Sequence, residues 1–329
     1  MEELKSLISN IKTAVVIPHK NPDGDAMGSC LALTEFLINQ GVSATLISPT
    51  GYPDFLQWMK GNDEVLILEE ETDKQIEELI SATDAVFCLD FNDLSRIDRL
   101  GHYVNESSAK KVMIDHHLEP KDFADITISQ TNICSTCQIV FSLIEDLFGL
   151  DAITESMGEN LYTGIVTDTG SFKYRATESN THRMASEIMK KGVDTEAIHR
   201  QLYDNDRESR LRLLGHLLLN NMTVLPELKT AYFTLTLDDM NKFDFQKGDN
   251  EGVVNYALSM KGIEVAVFFK EADNNDVKIS FRSKGSIAVN ELSRDNFNGG
   301  GHRNAAGGIH HEGLESAVKL FEEQLPKYV

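Results

Sequence analysis

The sequence predicts an α/β protein with a mostly parallel sheet covered by helices on both faces. A helical connector and a smaller α/β C-terminal domain follow. Three observations point that way. The first half holds four short Val/Ile-rich runs separated by amphipathic stretches. These runs are apolar throughout rather than at every second residue, as strands buried on both faces require. A long helical pattern then precedes a second, separate group of strand-like runs.

In order, the first-half strands are expected at 13–18 (TAVVIP), 43–48 (SATLIS), 85–90 (AVFCLD) and 111–115 (KVMID), with helices around 26–39 and 73–81. From about Cys134 to Asn221 the pattern is helical, and Leu211, Leu214 and Leu218 recur at the spacing of one apolar helix face. Further strands are expected near 230–237, 263–270 and 277–282, then a glycine-rich loop and a terminal helix. A chain of 329 residues exceeds one average domain. The expected division is 1–190, a connector over 191–222, and 223–329. In open parallel sheets ligands bind outside the carboxyl ends of strands, so the strand ends are where chemistry is sought.

Composition limits the function classes. Hydrophobic residues make up 41% and charged residues 25%, ordinary values for a chain with a real core. No stretch approaches the roughly 20 apolar residues of a membrane span, and the expected location is cytoplasmic, away from membranes. Four cysteines are too few and too scattered for a disulfide framework. The net charge is −21, from 52 acidic and 31 basic residues. A protein that tracks long nucleic acid needs an extended basic groove; none is expected here, although a small anion can still bind a locally positive pocket.

Acids and imidazoles gather at the predicted strand ends. His19, Asp23 and Asp25 follow the first strand in a turn-forming segment, Pro18 to Asp25. Asp25 alone reads equally as the N-cap of the next helix. Asp90 closes the third strand, and Asp115 closes the fourth before His116 and His117. Asp168 lies among small residues in Ile165-Val166-Thr167-Asp168-Thr169-Gly170. Carboxylates brought together in such numbers repel one another unless cations neutralise them. His19, Asp23, Asp25, Asp90, His116 and Asp168 supply four carboxylates and two imidazoles, matching two divalent cations. Mixed oxygen and imidazole ligation suits Mn²⁺; Mg²⁺, Zn²⁺ and Fe²⁺ remain possible. Two such ions about 4 Å apart support in-line displacement at phosphorus.

These motifs resemble those of the DHH phosphoesterases, a family that includes RecJ-type exonucleases and one class of inorganic pyrophosphatases. The resemblance rests on His19, Asp23 and Asp25, on Asp90, on Asp115-His116-His117, and on Asp168, with no motif residue missing. It implies His19 and Asp23 on one metal, Asp25, His116 and Asp168 on the other, and Asp90 bridging. His117 would then face the substrate phosphate, and Asp115 would orient its neighbours. Between 278 and 303 lie Lys278, Arg282, Lys284, Arg294 and Arg303, with Gly299-Gly300-Gly301-His302. This stretch resembles the DHH-associated domain. The resemblance implies that Arg282 and His302, with Gly300 and Gly301, bind substrate phosphate across an interdomain cleft that holds the active site.

Within the family the compact length is similar to the type that degrades nanoRNA and dephosphorylates pAp (3′-phosphoadenosine 5′-phosphate). The expected substrates are therefore short oligoribonucleotides, cut to 5′-mononucleotides, and pAp, cut to AMP and phosphate. The alternatives are hydrolysis of linear or cyclic dinucleotides such as pApA or c-di-AMP, and a nucleotide sensor without turnover. A monomer or homodimer fits either. The glycine segment lacks the G-x-G-x-x-G order and opens no first βαβ unit, which argues against a dinucleotide-dependent oxidoreductase. Cys134-Ser135-Thr136-Cys137 has no second pair for zinc and opens a helical pattern, so it reads as packing or site lining.

Overall fold

A computed structural model describes residues 1–174 and 177–329. The chain divides into two compact units, Met1–Asn205 and Asp206–Val329.

The first unit runs α1 (Glu2–Asn10), β1 (Thr13–Pro18), α2 (Gly24–Asn39), β2 (Ser43–Ser48), β3 (Leu66–Ile67), α3 (Asp73–Ala82), β4 (Ala85–Leu89), α4 (Leu100–Glu106), β5 (Lys110–Asp115), β6 (Ile126–Ser129), α5 (Thr136–Phe148), α6 (Glu155–Asp168), α7 (Ser179–Lys190) and α8 (Thr195–Tyr203). Its six strands lie in the order β3-β2-β1-β4-β5-β6, all pairs parallel. The side-chain period of two divides each apolar run between two cores. Val16, Leu46, Phe87, Val112 and Ile114 meet Met27, Phe36, Phe141 and Ile144 on one face. Val15, Ile17, Ile47, Val86 and Cys88 meet Ile76, Ile80, Leu100 and Val104 on the other. Strand order reverses between β1 and β4, so their carboxyl ends flank the crevice where such sheets bind ligands. His19 follows β1 and Asp90 follows β4.

The second unit holds α9 (Glu208–Asn220), β7 (Met222–Leu225), β8 (Thr230–Leu235), α10 (Leu237–Lys242), α11 (Val253–Ser259), β9 (Val265–Glu271), β10 (Val277–Ser283), α12 (Val289–Asn296), β11 (Gly300–His302), β12 (Ala305–His310) and α13 (Leu314–Gln324). The sheet order is β11-β12-β10-β9-β8-β7, with β8 and β9 parallel and the other pairs antiparallel. Val267, Phe269, Ile279 and Phe281 pack on one face with Leu292, Phe297 and Phe321. Ala231, Phe233, Ala266 and Phe268 pack on the other with Leu213, Leu217, Val253 and Ala257. Within the stretch read as a connector, α8 belongs to the first unit, whereas Leu213 and Leu217 of α9 enter the core of the second.

The glycine-rich segment expected as a loop is instead the strand pair β11 and β12. Gly299 and Gly308 answer to the closeness of α12 and the chain leaving it. A Cβ at Gly308 would sit 2.8 Å from Phe297 Cβ, and one at Gly299 would sit 2.7 Å from Gly308 Cα. Gly301 adds a φ of +134°, open to glycine alone. Among the described residues no helix is long and apolar enough to cross a membrane.

Candidate metal centre

Three features of the first unit converge its acids and imidazoles. The turn after β1 places Asp23 as the N-cap of α2, where its Oδ1 accepts the amides of Asp25 (3.0 Å) and Ala26 (3.1 Å). The cap is therefore Asp23, not Asp25, which stands in the first turn of α2 with its carboxylate directed elsewhere. Asp25 Oδ2 accepts the Thr136 amide at 2.6 Å, and Oδ1 accepts the Cys137 amide at 2.9 Å. These are orphan donors at the N-terminus of α5, a setting that favours a carboxylate.

The second feature is a close crossing of α2 and α6. Gly164 in α6 faces Asp25: a Cβ there would lie 2.9 Å from Asp25 Oδ1 and 3.0 Å from its Cα, and it would also strike Cys137 Sγ. Lacking a side chain at this point, α6 can bring Asp168, its last residue, to the mouth of α2. The third is the backbone of Asp90, held in the left-handed region at φ 63°. For an L-residue this costs on the order of 1 kcal/mol, and aspartate tolerates it better than most.

The resulting geometry has two lobes. His116 Nε2 lies 3.4 Å from Asp90 Oδ1, 3.4 Å from Asp168 Oδ2 and 3.9 Å from Asp25 Oδ2. His19 Nε2 lies 3.4 Å from Asp90 Oδ2. Ligand atoms of Asp25, His116 and Asp168 fall within 4.8 Å of one another, as do those of His19, Asp23 and Asp90. Asp90 thus directs one oxygen towards each lobe. Its Oδ1 also accepts the Thr136 hydroxyl at 2.9 Å.

Both imidazoles are oriented by backbone carbonyls. His19 Nδ1 is 2.9 Å from the Lys20 carbonyl, and His116 Nδ1 is 3.2 Å from that of Ile133. A carbonyl only accepts, so Nδ1 keeps a proton and, in the neutral ring, Nε2 is the nitrogen whose lone pair faces inward, the tautomer a metal requires. His117 is held differently: Asp115, fully buried, accepts its ring Nδ1 at 2.8 Å and its amide at 2.9 Å. The donor set therefore fits divalent cations: the imidazoles are oriented, and among the described residues the ion pairs of Asp25, Asp90 and Asp168 are all with imidazoles.

Electrostatics show what the residues do without metal. Burial opposes the charged form of His116, yet the hydrogen bond to Asp90 and the charges of Asp90, Asp25 and Asp168 raise its pKa to about 11. For His19, burial is likewise outweighed by Asp90 and Asp23, and the pKa rises to about 9. Burial and the Asp90 charge lift Asp25 to about 7. Burial, Asp25 and Asp23 push Asp168 well above the carboxylate range. Asp90 goes the other way: the two imidazoles overcome its burial and hold it well below that range. Metal-free, the nest balances its charge with protons.

Metal must displace those protons. Both imidazole pKa values lie above 7, so at pH 7 cation binding is expected to release about two protons from His19 and His116, and more from the raised carboxyls of Asp25 and Asp168. Affinity should rise with pH, because fewer protons compete. Calorimetric titration with Mn²⁺ in two buffers of different ionisation enthalpy reads the number directly; zero net release contradicts the assignment.

Sequence reasoning missed the Thr136 hydroxyl and amide, the Ile133 carbonyl and Gly164. Cys134 and Cys137 are free thiols; Cys137 Sγ lies 3.5 Å from the Asp25 carbonyl, which makes it site lining. In the second unit Arg282 is half-buried on β10 and donates from Nη1 to the Phe281 carbonyl at 3.0 Å. Gly300, Gly301 and His302 form β11, and both Arg282 and His302 pair in register with Ala305 of β12. Arg282 and His302 therefore lie in one row, two strands apart.

This fold and donor set coincide with a known class. Residues 13–165 match the N-terminal domain of the DHH family, and residues 229–327 match the DHHA1 domain. The chain belongs to the DHH family. The chain is 29% identical over 309 residues to the bifunctional oligoribonuclease and PAP phosphatase NrnA of Bacillus subtilis, covering 93% of this chain and 91% of that one. A probable NrnA of Streptococcus mutans is 28% identical over 313 residues, with 93% of each chain covered. An exopolyphosphatase-related protein from Bacteroides fragilis, known as a crystal structure, is 41% identical. It superposes with a TM-score of 0.95 over 99% of this chain and 95% of that one.

Proposed function

We propose that the protein is a two-metal phosphoesterase that hydrolyses short oligoribonucleotides to 5′-mononucleotides and pAp to AMP and phosphate. The observation that carries this reading is the pair of ligand triads that meet at Asp90. Similarity to NrnA proteins across 93% of the chain supports the substrate class.

His19 and Asp23 would hold one divalent ion, Asp25, His116 and Asp168 the other, and Asp90 both; Mn²⁺ is the proposed metal because the set mixes carboxylate and imidazole. When bound, the pair supplies Lewis-acid neutralisation of charge for in-line displacement at phosphorus. The chain's own groups do the remaining work. Asp115 fixes the His117 ring through Nδ1, and His117 Nε2 is the nitrogen assigned to a phosphate oxygen. Thr136 and the α5 amides keep Asp90 and Asp25 from turning away. Arg282 and His302, with the Gly300 and Gly301 backbone, are assigned a second phosphate or the far end of the substrate. An arginine fork and an unobstructed glycine backbone suit phosphate oxygens.

The test is turnover of di- to pentaribonucleotides and pAp by the Mn²⁺-loaded protein, with pApA and c-di-AMP as competitors. Hydrolysis of the first group is expected. No turnover of any of them with metal bound overturns the reading, and a preference for the competitors favours the dinucleotide phosphodiesterase. In Arg282→Ala, KM should rise roughly 10- to 100-fold, the weight of a lost charge-assisted bond. Metal content should not change.

A further inference from the structure

The residues of β10 that face away from the Phe281 core form successive rows with their partners. Arg282, Ala305 and His302 make the first; Ser280, Gly307 and Gly300 make the second. In the third, Lys278 stands directly opposite Lys270 of β9. Lys278 and Arg282 are four positions apart, about 13 Å along the strand. Towards β12 and β11 the middle row presents a serine and two glycines, a floor without bulky side chains; on its other side Ser280 faces Phe268 of β9, which is buried in the unit's core.

The third row is anomalous as structure. Like charges directly opposite one another across an antiparallel pair are destabilising. Among the described residues neither lysine has a carboxylate within 4.0 Å, although the chain carries 52 acidic residues. Burial, then the charges of Lys278 and Lys247, lower the Lys270 pKa, and Lys247 is likewise lowered by burial and Lys278. Three ammonium groups thus share one neighbourhood, with Lys270 Nζ 5.0 Å above the Phe245 ring. Glu251 is the acid whose charge acts on Lys247, whereas Lys270 rests on an aromatic ring rather than a carboxylate.

We infer that Lys270 and Lys278, flanked by Lys247, form a second phosphate subsite for a single-stranded oligonucleotide whose backbone runs along β10. This rests on the proposed function and extends it to substrate length. A phosphate in the Arg282–His302 row leaves sugar and base over the Ser280–Gly307–Gly300 floor. The next phosphates then reach the lysine row. pAp is too short to use it, whereas a pentanucleotide is not.

The experiment compares Lys278→Gln and Lys270→Gln/Lys278→Gln with the parent protein, all Mn²⁺-loaded, on pAp and on a pentaribonucleotide. For the pentanucleotide, the double variant should raise KM about tenfold. Its log–log dependence on salt should fall by about 0.7 per lost phosphate contact. On pAp, KM should change less than twofold. Lys278→Gln, at an exposed position, should also raise the melting temperature because it relieves the opposed charges. An equal rise in KM on both substrates, or no rise on the pentanucleotide, overturns the subsite. If the parent turns over neither substrate, it is the phosphoesterase reading that fails.

Discussion

Replacing Asp90 by alanine is expected to abolish hydrolysis and metal binding together. Asp90 directs its two carboxylate oxygens at His19 and His116, at 3.4 Å each. Its loss takes a ligand from both lobes at once. Lewis-acid stabilisation is worth several kcal/mol, so kcat/KM should fall by about 10³-fold or more. Alanine also has to occupy the left-handed backbone at φ 63°, which costs on the order of 1 kcal/mol. Asp90→Asn separates these effects, since asparagine accepts the backbone and keeps the shape but gives up the charge. That variant should melt within a few degrees of the parent and still fail to bind metal. A near-normal rate in Asp90→Ala would contradict the shared-ligand geometry.

A single methyl group at Gly164 should be nearly as damaging, although Gly164 neither ionises nor touches substrate. The added Cβ would meet Asp25 Oδ1 at 2.9 Å and its Cα at 3.0 Å, besides striking Cys137 Sγ. Both Asp25 and Cys137 are buried, so α2 and α6 must separate or Asp25 must leave the Thr136 and Cys137 amides. Overpacking of this kind costs about 1–3 kcal/mol, and the distance between Asp25 and Asp168 is set by the same crossing. Gly164→Ala should therefore lower the melting temperature and reduce metal occupancy in parallel. Gly164→Ala/Cys137→Ala should recover part of both by removing the sulfur. Unchanged metal content in Gly164→Ala would show that the helix crossing does not position the carboxylates.

Four of the six strands of the first unit, and the acids and imidazoles that gather at their ends, were legible for one reason, while the short β3 and β6 were not. Strands buried on both faces are continuous apolar runs, and a charged residue that ends such a run stands out. Asp90 after β4 and Asp115 at the end of β5 announce themselves in this way. What positions them was not legible. Thr136 and Cys137 act on Asp25 through backbone amides, which any residue supplies. The Ile133 carbonyl that orients His116 is equally anonymous. The choice between Asp23 and Asp25 as cap of α2 depends on where Asp25 finds other donors, 111 residues further along the chain. The 299–308 segment misled because glycine argues against strands, whereas here it is small for the sake of α12 and Phe297. Opposed Lys270 and Lys278 become visible only once the register of β9 and β10 is known.

Electron paramagnetic resonance of the Mn²⁺-titrated protein tests most directly whether these side chains form a paired-metal nest. Saturation at about two ions per chain, with the exchange-coupled spectrum of ions about 4 Å apart, is the expected result. One ion per chain, or two with uncoupled spectra, would contradict it.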